Sequence, residues 1–257
     1  MRRTILLAAM ALACGTASAA GNDRLDVSMS FQWSDEMADS DPLFQRQFAI
    51  SHQVTHVTGI DYVPELLEGG RERAVAEGLD VEFRLGDTED LPVADGYFDA
   101  VLSVFGAMFA PDHQLAADEI IRATRTGGTV GLASWTPDGF IGQMFDVITR
   151  HVPGPPGVAS PLLWGTERHL SSLFGAVVAD ARSVQRTYTW RFTSPEELVW
   201  FFRRWYGPVL KAFEVLDEDG RAALAHDLAQ LARHWDRNHG GSIAVPATYL
   251  ETILTLR

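Results

Sequence analysis

Short apolar runs alternate with amphipathic stretches along the chain from about residue 54. Strands are predicted at Val54–Ile60, Val81–Leu85, Phe98–Phe105 and Thr129–Trp135, and helices at Pro64–Glu77 and Asp112–Arg125. Strands separated by helical stretches are typical of a parallel sheet with right-handed crossovers. The pattern therefore predicts an α/β fold with a doubly wound, mostly parallel sheet and helices on both faces.

Past Trp135 the helical pattern predominates. Helices are predicted at Phe140–His151, Thr166–Phe174, Leu198–Phe213 and Asp217–Asn238, and strands at Val184–Phe192 and Tyr249–Leu256. Ser194 precedes Pro195 and lies three residues before Glu197, which is a typical helix start. We therefore predict a core at residues 54–136 and, at residues 137–257, a helical elaboration with two closing strands of the same domain.

The first twenty residues have the pattern of a secretory signal. Arg2 and Arg3 form a positive region, Ile5–Ala13 is a short apolar region, and Ala17–Ala19 is a small-residue cleavage site. A competing interpretation makes Ala13–Thr16 the remnant of a nucleotide-binding glycine loop, in which a strand leads through small residues to a helix N-terminus. Ala17 then replaces the second glycine of such a loop.

The segment Asn22–Gln53 shows neither sustained helical nor strand periodicity. We therefore expect an irregular segment over residues 1–53. The explanation that we favour is an error in the gene model upstream of Val54, such as a wrong start codon or a frameshift.

Composition narrows the class of partner. The formal net charge is −13, so a phosphate backbone would be repelled and nucleic acid is not expected as a partner. The single cysteine, Cys14, excludes an internal disulfide and a cysteine-based zinc site. No apolar run reaches the roughly 18–20 residues that span a bilayer. His226, His234 and His239 lack a completing set of carboxylates, so no metal site is expected.

Two acidic residues follow consecutive predicted strands. Asp61 ends the first strand, and Gly86-Asp87 follows the next one along the chain. A carboxylate in this position accepts hydrogen bonds from ribose hydroxyls in doubly wound sheets. The two turns predict that a nucleoside lies across the carboxyl ends of parallel strands.

Three segments in this order and spacing resemble the class I S-adenosylmethionine-dependent methyltransferases that act on small molecules and are related to the quinone-biosynthesis methyltransferases. The segments are V-T-G-I-D-Y-V-P-E-L-L, G-D-T-E-D-L-P-V-A-D-G-Y-F-D-A-V-L-S-V-F-G and I-I-R-A-T-R-T-G-G-T-V-G-L-A-S-W. The resemblance covers Val57 to about Phe174, and the two late strands fit the seven-stranded Rossmann-like sheet of the family. The first motif of the family, an acid followed by a glycine-rich turn, is degenerate or missing.

The resemblance implies S-adenosylmethionine as cofactor and assigns six residues to it. Asp61 would bind the ribose, Tyr62 would pack beside the adenosine, and Asp87 would accept from the adenine amino group. Thr88 would contact the ring through its backbone, and Ser103 and Phe105 would border the methionine portion. The elements after Trp135 would carry the acceptor preference, and the protein would be cytoplasmic.

We therefore expect methyl transfer to a small-molecule acceptor. A hydroxyl or phenol acceptor would benefit from a general base, and the sequence does not choose among His113, His151, Tyr188 and Tyr206. The degenerate first motif favours two alternatives: an impaired enzyme, or a non-catalytic methyltransferase-like binding protein. The signal-like start favours a third, an exported binding domain.

Overall fold

The structure, a computed structural model, describes the backbone of residues 3–9, 13–18, 26–31 and 54–55, and residues 56–257 in full except His239. The chain divides into two compact units. The first comprises Met1–Ser134, Glu167–Val184 and Glu251–Arg257, and the second comprises Trp135–Thr166 and Gln185–Leu250.

A seven-stranded sheet is the main β structure of the described residues. The described strands are β1 (Arg3–Ala9), β2 (Ala13–Ser18), β3 (Asp26–Phe31), β4 (Val54–Asp61), β5 (Val81–Leu85), β6 (Phe98–Val104), β7 (Thr124–Trp135), β8 (Val178–Phe192) and β9 (Ile243–Leu256). The sheet order is β5-β4-β1-β6-β7-β9-β8, and β1, β4, β5, β6 and β7 pair in parallel. The predicted α/β class with a doubly wound, mostly parallel sheet is confirmed.

The first strand of the chain lies inside this sheet, where we expected an irregular segment. Thr4–Ala8 pair with His56–Ile60 on one side, and Ile5–Ala9 pair with Ala100–Val104 on the other. A continuous apolar run is the pattern of a parallel strand buried on both faces, and it is also the pattern of a signal's apolar region. Periodicity alone does not separate the two, so the sequence analysis missed the strand.

The next two strands form a separate antiparallel pair. Ala13–Ser18 pair with Asp26–Phe31, from Ala13 opposite Phe31 to Ser18 opposite Asp26. This corrects the glycine-loop interpretation, in which a helix would follow Thr16. The missed signal is the strict alternation of Val27, Met29 and Phe31 with polar residues, which is typical of a strand.

The described residues of the first unit include the helices α1 (Pro64–Glu77), α2 (His113–Ala123) and α4 (Glu167–Phe174). Asp112 caps α2, accepting from Gln114 N and Leu115 N. This helix ends at Ala123, two residues before the predicted end, because Thr124 already pairs with Phe98 as the start of β7. Gly127 and Gly128 are therefore in the strand.

The second unit contains α3 (Phe140–His151), α5 (Pro195–Trp205), α6 (Gly207–Val215) and α7 (Glu218–Trp235). Its core is aromatic: the Phe202 ring lies 5.2 Å from Trp190 and 5.4 Å from Tyr206, centroid to centroid. Ser194 caps α5 as predicted, accepting from Glu197 N. In the described part of the chain, no helix combines the length and apolar character that crossing a bilayer requires.

One predicted helix of this unit is two helices. The stretch Leu198–Phe213 breaks at Tyr206, which is extended with φ −107° and ψ 107°. Pro208 lies in the first turn of α6 and has no N–H to donate to the preceding turn. A proline inside a helical pattern ends the helix before it, which accounts for the break.

Candidate functional site

A cleft of about 310 Å³ opens at the carboxyl ends of β4, β5 and β6. Three segments line it: Ile60–Tyr62 at the end of β4, Gly86–Thr88 with Leu91 after β5, and Gly106 and Ala107 with Phe109–Pro111 after β6. The turns meet because the three strands are parallel members of one sheet, so their carboxyl ends share an edge. The two acidic turns that the sequence singled out are thus brought together.

Asp61 is the half-buried acid of the cleft. Its Oδ1 accepts from Val63 N at 2.9 Å, which turns the chain into α1. Burial raises the pKa of Asp61 to about 6, and the hydrogen bonds from Val63 and Tyr62 offset only part of that rise. A carboxylate has about four acceptor sites, so oxygen lone pairs remain for ligand hydroxyls. Tyr62 beside it is 62% exposed.

Asp87 and Thr88 lie on the second turn. The exposed Asp87 carboxylate accepts from Glu89 N at 2.9 Å, and Asp87 O accepts from Asp90 N at 3.1 Å. Thr88 Oγ1 is buried and has no hydrogen-bond partner among the residues that the structure describes. A buried hydroxyl without a partner costs free energy, so a ligand in the cleft that pairs with it would be stabilised.

Ser103 and Phe105 shape the third turn and are not among the described lining residues. Ser103 Oγ accepts from Ala107 N at 2.9 Å, and Phe105 N donates to Ala133 O at 2.9 Å. Phe105 has φ 53°, the one non-glycine residue with positive φ in the described part of the chain. Such strain persists where the surroundings enforce it, often at binding sites. Here it turns the backbone so that Gly106 and Ala107 line the cleft.

His113 is the one catalytic candidate in the same unit as the cleft. It is buried directly after the cap of α2, and its Nδ1 lies 2.9 Å from Nε2 of His169 on α4. Burial and the neighbouring His169 lower the pKa of His113, and burial lowers the pKa of His169. One ring must donate and the other accept, so at most one of the two rings is protonated, and the lowered pKa of each favours the neutral form.

The other three candidates lie in the second unit. His151 Nε2 at the end of α3 is 2.9 Å from Asp227 Oδ2 on α7, which is a histidine–carboxylate pair that sequence spacing does not reveal. Burial raises the pKa of Tyr206 well above its ordinary value, so its hydroxyl stays protonated. Tyr188 packs edge-on against Trp190 at 4.9 Å.

The histidines weighed for a metal have different surroundings. His226 Nε2 lies 3.5 Å from Gln230 Nε2, and His239 is outside the described residues. Within the described part of the chain, no group of three or more His, Cys, Asp or Glu side chains is arranged to hold a metal. The absence of a metal stays a prediction.

The sequence analysis missed Leu91 and the turn Gly106–Pro111. A glycine directly after the apolar run Phe98–Phe105 was the available signal for that turn. It also missed the ion pair of Glu119 and Arg122, although their i, i+3 spacing on α2 indicates such a pair. The contacts of this ion pair with the loop after β5 join residues about thirty positions apart, so local sequence does not predict them.

Comparison with known proteins gives a consistent result. A family model described as a methyltransferase domain matches residues 43–132. The uncharacterised protein Rv1403c of Mycobacterium tuberculosis is 39% identical over 184 residues, which are 70% of this chain and 67% of that protein. The demethylmenaquinone methyltransferase of Thermus thermophilus is 33% identical over 144 residues, 55% of this chain and 59% of that enzyme.

A solved structure shares the fold. The protein BH2331 of Bacillus halodurans C-125, a candidate methyltransferase, matches with a TM-score of 0.55 at 12% identity, over 99% of this chain and 92% of that one. Three observations point to the same family: the first strand is central in the sheet, the acidic turns lie at one sheet edge, and the methyltransferase family model matches. The chain belongs to the class I S-adenosylmethionine-dependent methyltransferases, and the cofactor of that family is S-adenosylmethionine.

Proposed function

We propose that this protein transfers a methyl group from S-adenosylmethionine, bound in the cleft between the three turns, to a small-molecule acceptor in the cytoplasm. One observation carries the proposal: Asp61 and the Asp87–Thr88 turn face the same cleft, which is lined by both polar and apolar groups. The bound sulfonium supplies an electrophilic methyl carbon. The protein's task is then to bind and align, which by itself lowers a displacement barrier substantially.

The cleft residues fit the two ends of a nucleoside. Asp61 would accept from the ribose hydroxyls, Asp87 would accept from the adenine amino group, and Thr88 would add its buried hydroxyl to the contact of its backbone. Tyr62 and Leu91 would offer apolar surface to the ring. Ser103 and Phe105 would act indirectly, by holding the third turn in its strained conformation.

The test compares two acids, one at the end of β4 and one directly before β5. Asp61→Ala removes a charge-assisted acceptor worth about 1.5–3 kcal/mol, so calorimetry should show a dissociation constant for S-adenosylhomocysteine raised roughly 10- to 150-fold. Asp80→Ala is the control, because Asp80 is exposed and precedes β5 at the opposite end of that strand. An unchanged constant for Asp61→Ala would show that the ribose assignment is wrong.

For an acceptor with an acidic hydroxyl we propose that a general base assists, and His113, His151, Tyr188 and Tyr206 stay the candidates. Asp227 lies 2.9 Å from one ring nitrogen of His151 and so orients that imidazole, whereas burial keeps Tyr206 protonated. Replacing each candidate in turn, histidine by Gln and tyrosine by Phe, should lower turnover only at the base and leave cofactor affinity unchanged.

A second candidate is a methyltransferase-like protein that binds the cofactor weakly and turns over little. The chain after β1 forms the strand β2, so no helix N-terminus stands at Ala13–Ser18 to offer backbone N–H groups. Losing several hydrogen bonds at about 0.5–1.5 kcal/mol each would lower affinity by roughly two decades. The test titrates two proteins with S-adenosylmethionine: this chain, and a variant that carries a strand, a glycine loop and a helix before Val57. Equal micromolar binding by the two proteins would exclude this second candidate.

A further inference from the structure

The loop between β5 and β6 carries much of the cleft and has little regular structure. It supplies Asp87, Thr88 and Leu91 to the lining, and it contains one isolated backbone bridge, between Asp87 and Asp90. Backbone groups of a partly buried loop need hydrogen-bond partners. In this loop two side chains of α2 provide them.

The backbone N–H and C=O of Leu91 both form hydrogen bonds with the ion pair of Glu119 and Arg122. Leu91 N donates to Glu119 Oε2 at 2.8 Å, and Leu91 O accepts from Arg122 Nη2 at 3.0 Å. Arg122 Nη1 also donates to Val93 O and Asp95 Oδ1, each at 2.8 Å. Leu91 itself is 3% exposed. The loop is therefore fastened at one of the residues that line the cleft.

The ion pair is built to act as a rigid clip. Arg122 Nε donates to Glu119 Oε1 and Arg122 Nη2 donates to Glu119 Oε2, each at 2.7 Å. This forked arrangement fixes the orientation of the guanidinium plane. The Arg122 guanidinium lowers the pKa of Glu119, which keeps the carboxylate ionised. The opposite face of α2 is anchored by buried Ala116, Ala117 and Ile120.

A second tether joins the same loop to the start of the same helix. Asp112 N donates to Glu89 Oε1 at 2.7 Å, and Asp112 directly follows the cleft-lining Pro111. The loop after β5 and the turn after β6 are thus both attached to α2. One helix sets the spacing between two walls of the cleft.

We propose that Glu119 and Arg122 are positioning residues of the cofactor site, which hold the loop so that Thr88 and Leu91 face the adenine ring. The inference rests on the proposed cofactor site in one respect, the identity of the ligand. The hold on the loop itself is a property of the protein without ligand, and it can be measured separately.

The experiment uses the full chain and four variants. Arg122→Met removes the forked donors, and Arg122→Lys keeps the charge without the fork. Arg125→Met is the matched control, because the Arg125 guanidinium pairs with Asp99 at 2.8 Å and donates to Thr126 O. Ile120→Val removes a buried methyl from α2 and controls for loss of stability alone.

We expect Arg122→Met to raise the dissociation constant of S-adenosylhomocysteine about tenfold and to speed hydrogen exchange of the Leu91 amide by a similar factor. Arg122→Lys should resemble Arg122→Met. Arg125→Met and Ile120→Val should stay within about twofold of the parent chain in both measurements, at a temperature where every variant is folded by circular dichroism.

Two outcomes would overturn the proposal. One is a Leu91 amide in Arg122→Met that exchanges as slowly as in the parent. The other is an Ile120→Val variant that loses as much affinity as Arg122→Met, which would make the effect one of stability. If the parent does not bind S-adenosylhomocysteine, the proposed function fails, and the exchange rates still decide whether the ion pair holds the loop.

Discussion

Asp61 and Asp87 have the same side chain and contrasting surroundings. Asp87 is exposed and accepts from the backbone of its own turn, whereas Asp61 is half-buried at the end of β4. Burial raises the pKa of Asp61 to about 6 because the charged form loses hydration. Asp61 is therefore a group of this cleft whose protonation changes close to neutral pH.

The first prediction is a pH dependence of cofactor binding. The proposed role of Asp61 is to accept from the two ribose hydroxyls in its ionised form, so affinity should fall as pH drops through about 6. If the protonated acid binds poorly, the dissociation constant for S-adenosylhomocysteine should rise about tenfold between pH 7.5 and pH 5. Calorimetry across that range measures it. Asp61→Asn should bind weakly and show a flat profile, and a parallel fall in the variant would assign the titration to another group.

The second prediction concerns stability and has the opposite sign. A carboxyl whose folded pKa is raised, here from 3.8 to about 6, stabilises the fold below pH 3.8 and loses that contribution as pH rises through 6. Asp61→Asn keeps an oxygen acceptor for Val63 N and has no charge to bury. We expect it to be more stable than the parent at pH 7.5 by about 1–2 kcal/mol, after discounting for partial exposure.

Denaturant unfolding at pH 7.5 and at about pH 3 gives the comparison for that variant. The two chains should have equal free energies of unfolding at the lower pH, where Asp61 is protonated in both the folded and the unfolded state. A variant that is less stable at both values would mean that the carboxylate contributes to folding and is not strained for binding.

At the scale of elements, β1 determines how the sheet is assembled. It lies between β4 and β6 and pairs with both, so the strands that end in the cleft are ordered around it. Cleavage at the predicted Ala17–Ala19 site would separate this strand from the fold. The two neighbours would then expose unpaired edges, which promote aggregation.

The third prediction tests that strand through its backbone. Ile5 pairs with Val57 and with Ala100, and proline at this position has no N–H for the ladder. Ile5→Pro should destabilise the protein by about 1–3 kcal/mol, the cost of a ladder acceptor left without its donor, and Ile5→Val, which keeps the N–H and a β-branched side chain, by much less. Thermal unfolding with matched light scattering measures both. Equal midpoints for the two variants would place β1 outside the cooperative sheet.

At the scale of the whole molecule, we expect the two units to have separate tasks. The first contains the cleft proposed for the cofactor, and the second contains helices around an aromatic core, strand segments and the His151–Asp227 pair. Folds of this kind keep a shared core and vary function through added elements. We therefore assign cofactor affinity to the first unit and acceptor preference to the second.

The fourth prediction is that exchanging Phe140–Pro161 for the equivalent stretch of a relative changes acceptor preference and leaves the dissociation constant for S-adenosylhomocysteine within about twofold. A panel of small acceptors assayed by S-adenosylhomocysteine release measures preference, and calorimetry measures affinity. The same exchange made within α1, at Glu65–Glu72, serves as the control for a disturbed fold. A large loss of cofactor affinity with unchanged preference would reverse the assignment.

The sequence by itself determined the features that depend on near neighbours. The helix α1, the cap at Ser194 and the acid at the end of β4 follow from periodicity and from residues within four positions of one another. The parallel strand order also made the meeting of Asp61 with Asp87 predictable, because parallel strands end at one edge.

Only the tertiary structure decided the features that join distant parts of the chain. An apolar run near the start became β1 because β4 and β6, some fifty and a hundred residues later, offer it backbone partners on both sides. The contact of Arg122 with Leu91, the pairing of His113 with His169 and the burial that raises the pKa of Asp61 have the same origin. Each of these features depends on groups that are distant in the sequence and close in the fold, so the local sequence pattern does not predict it.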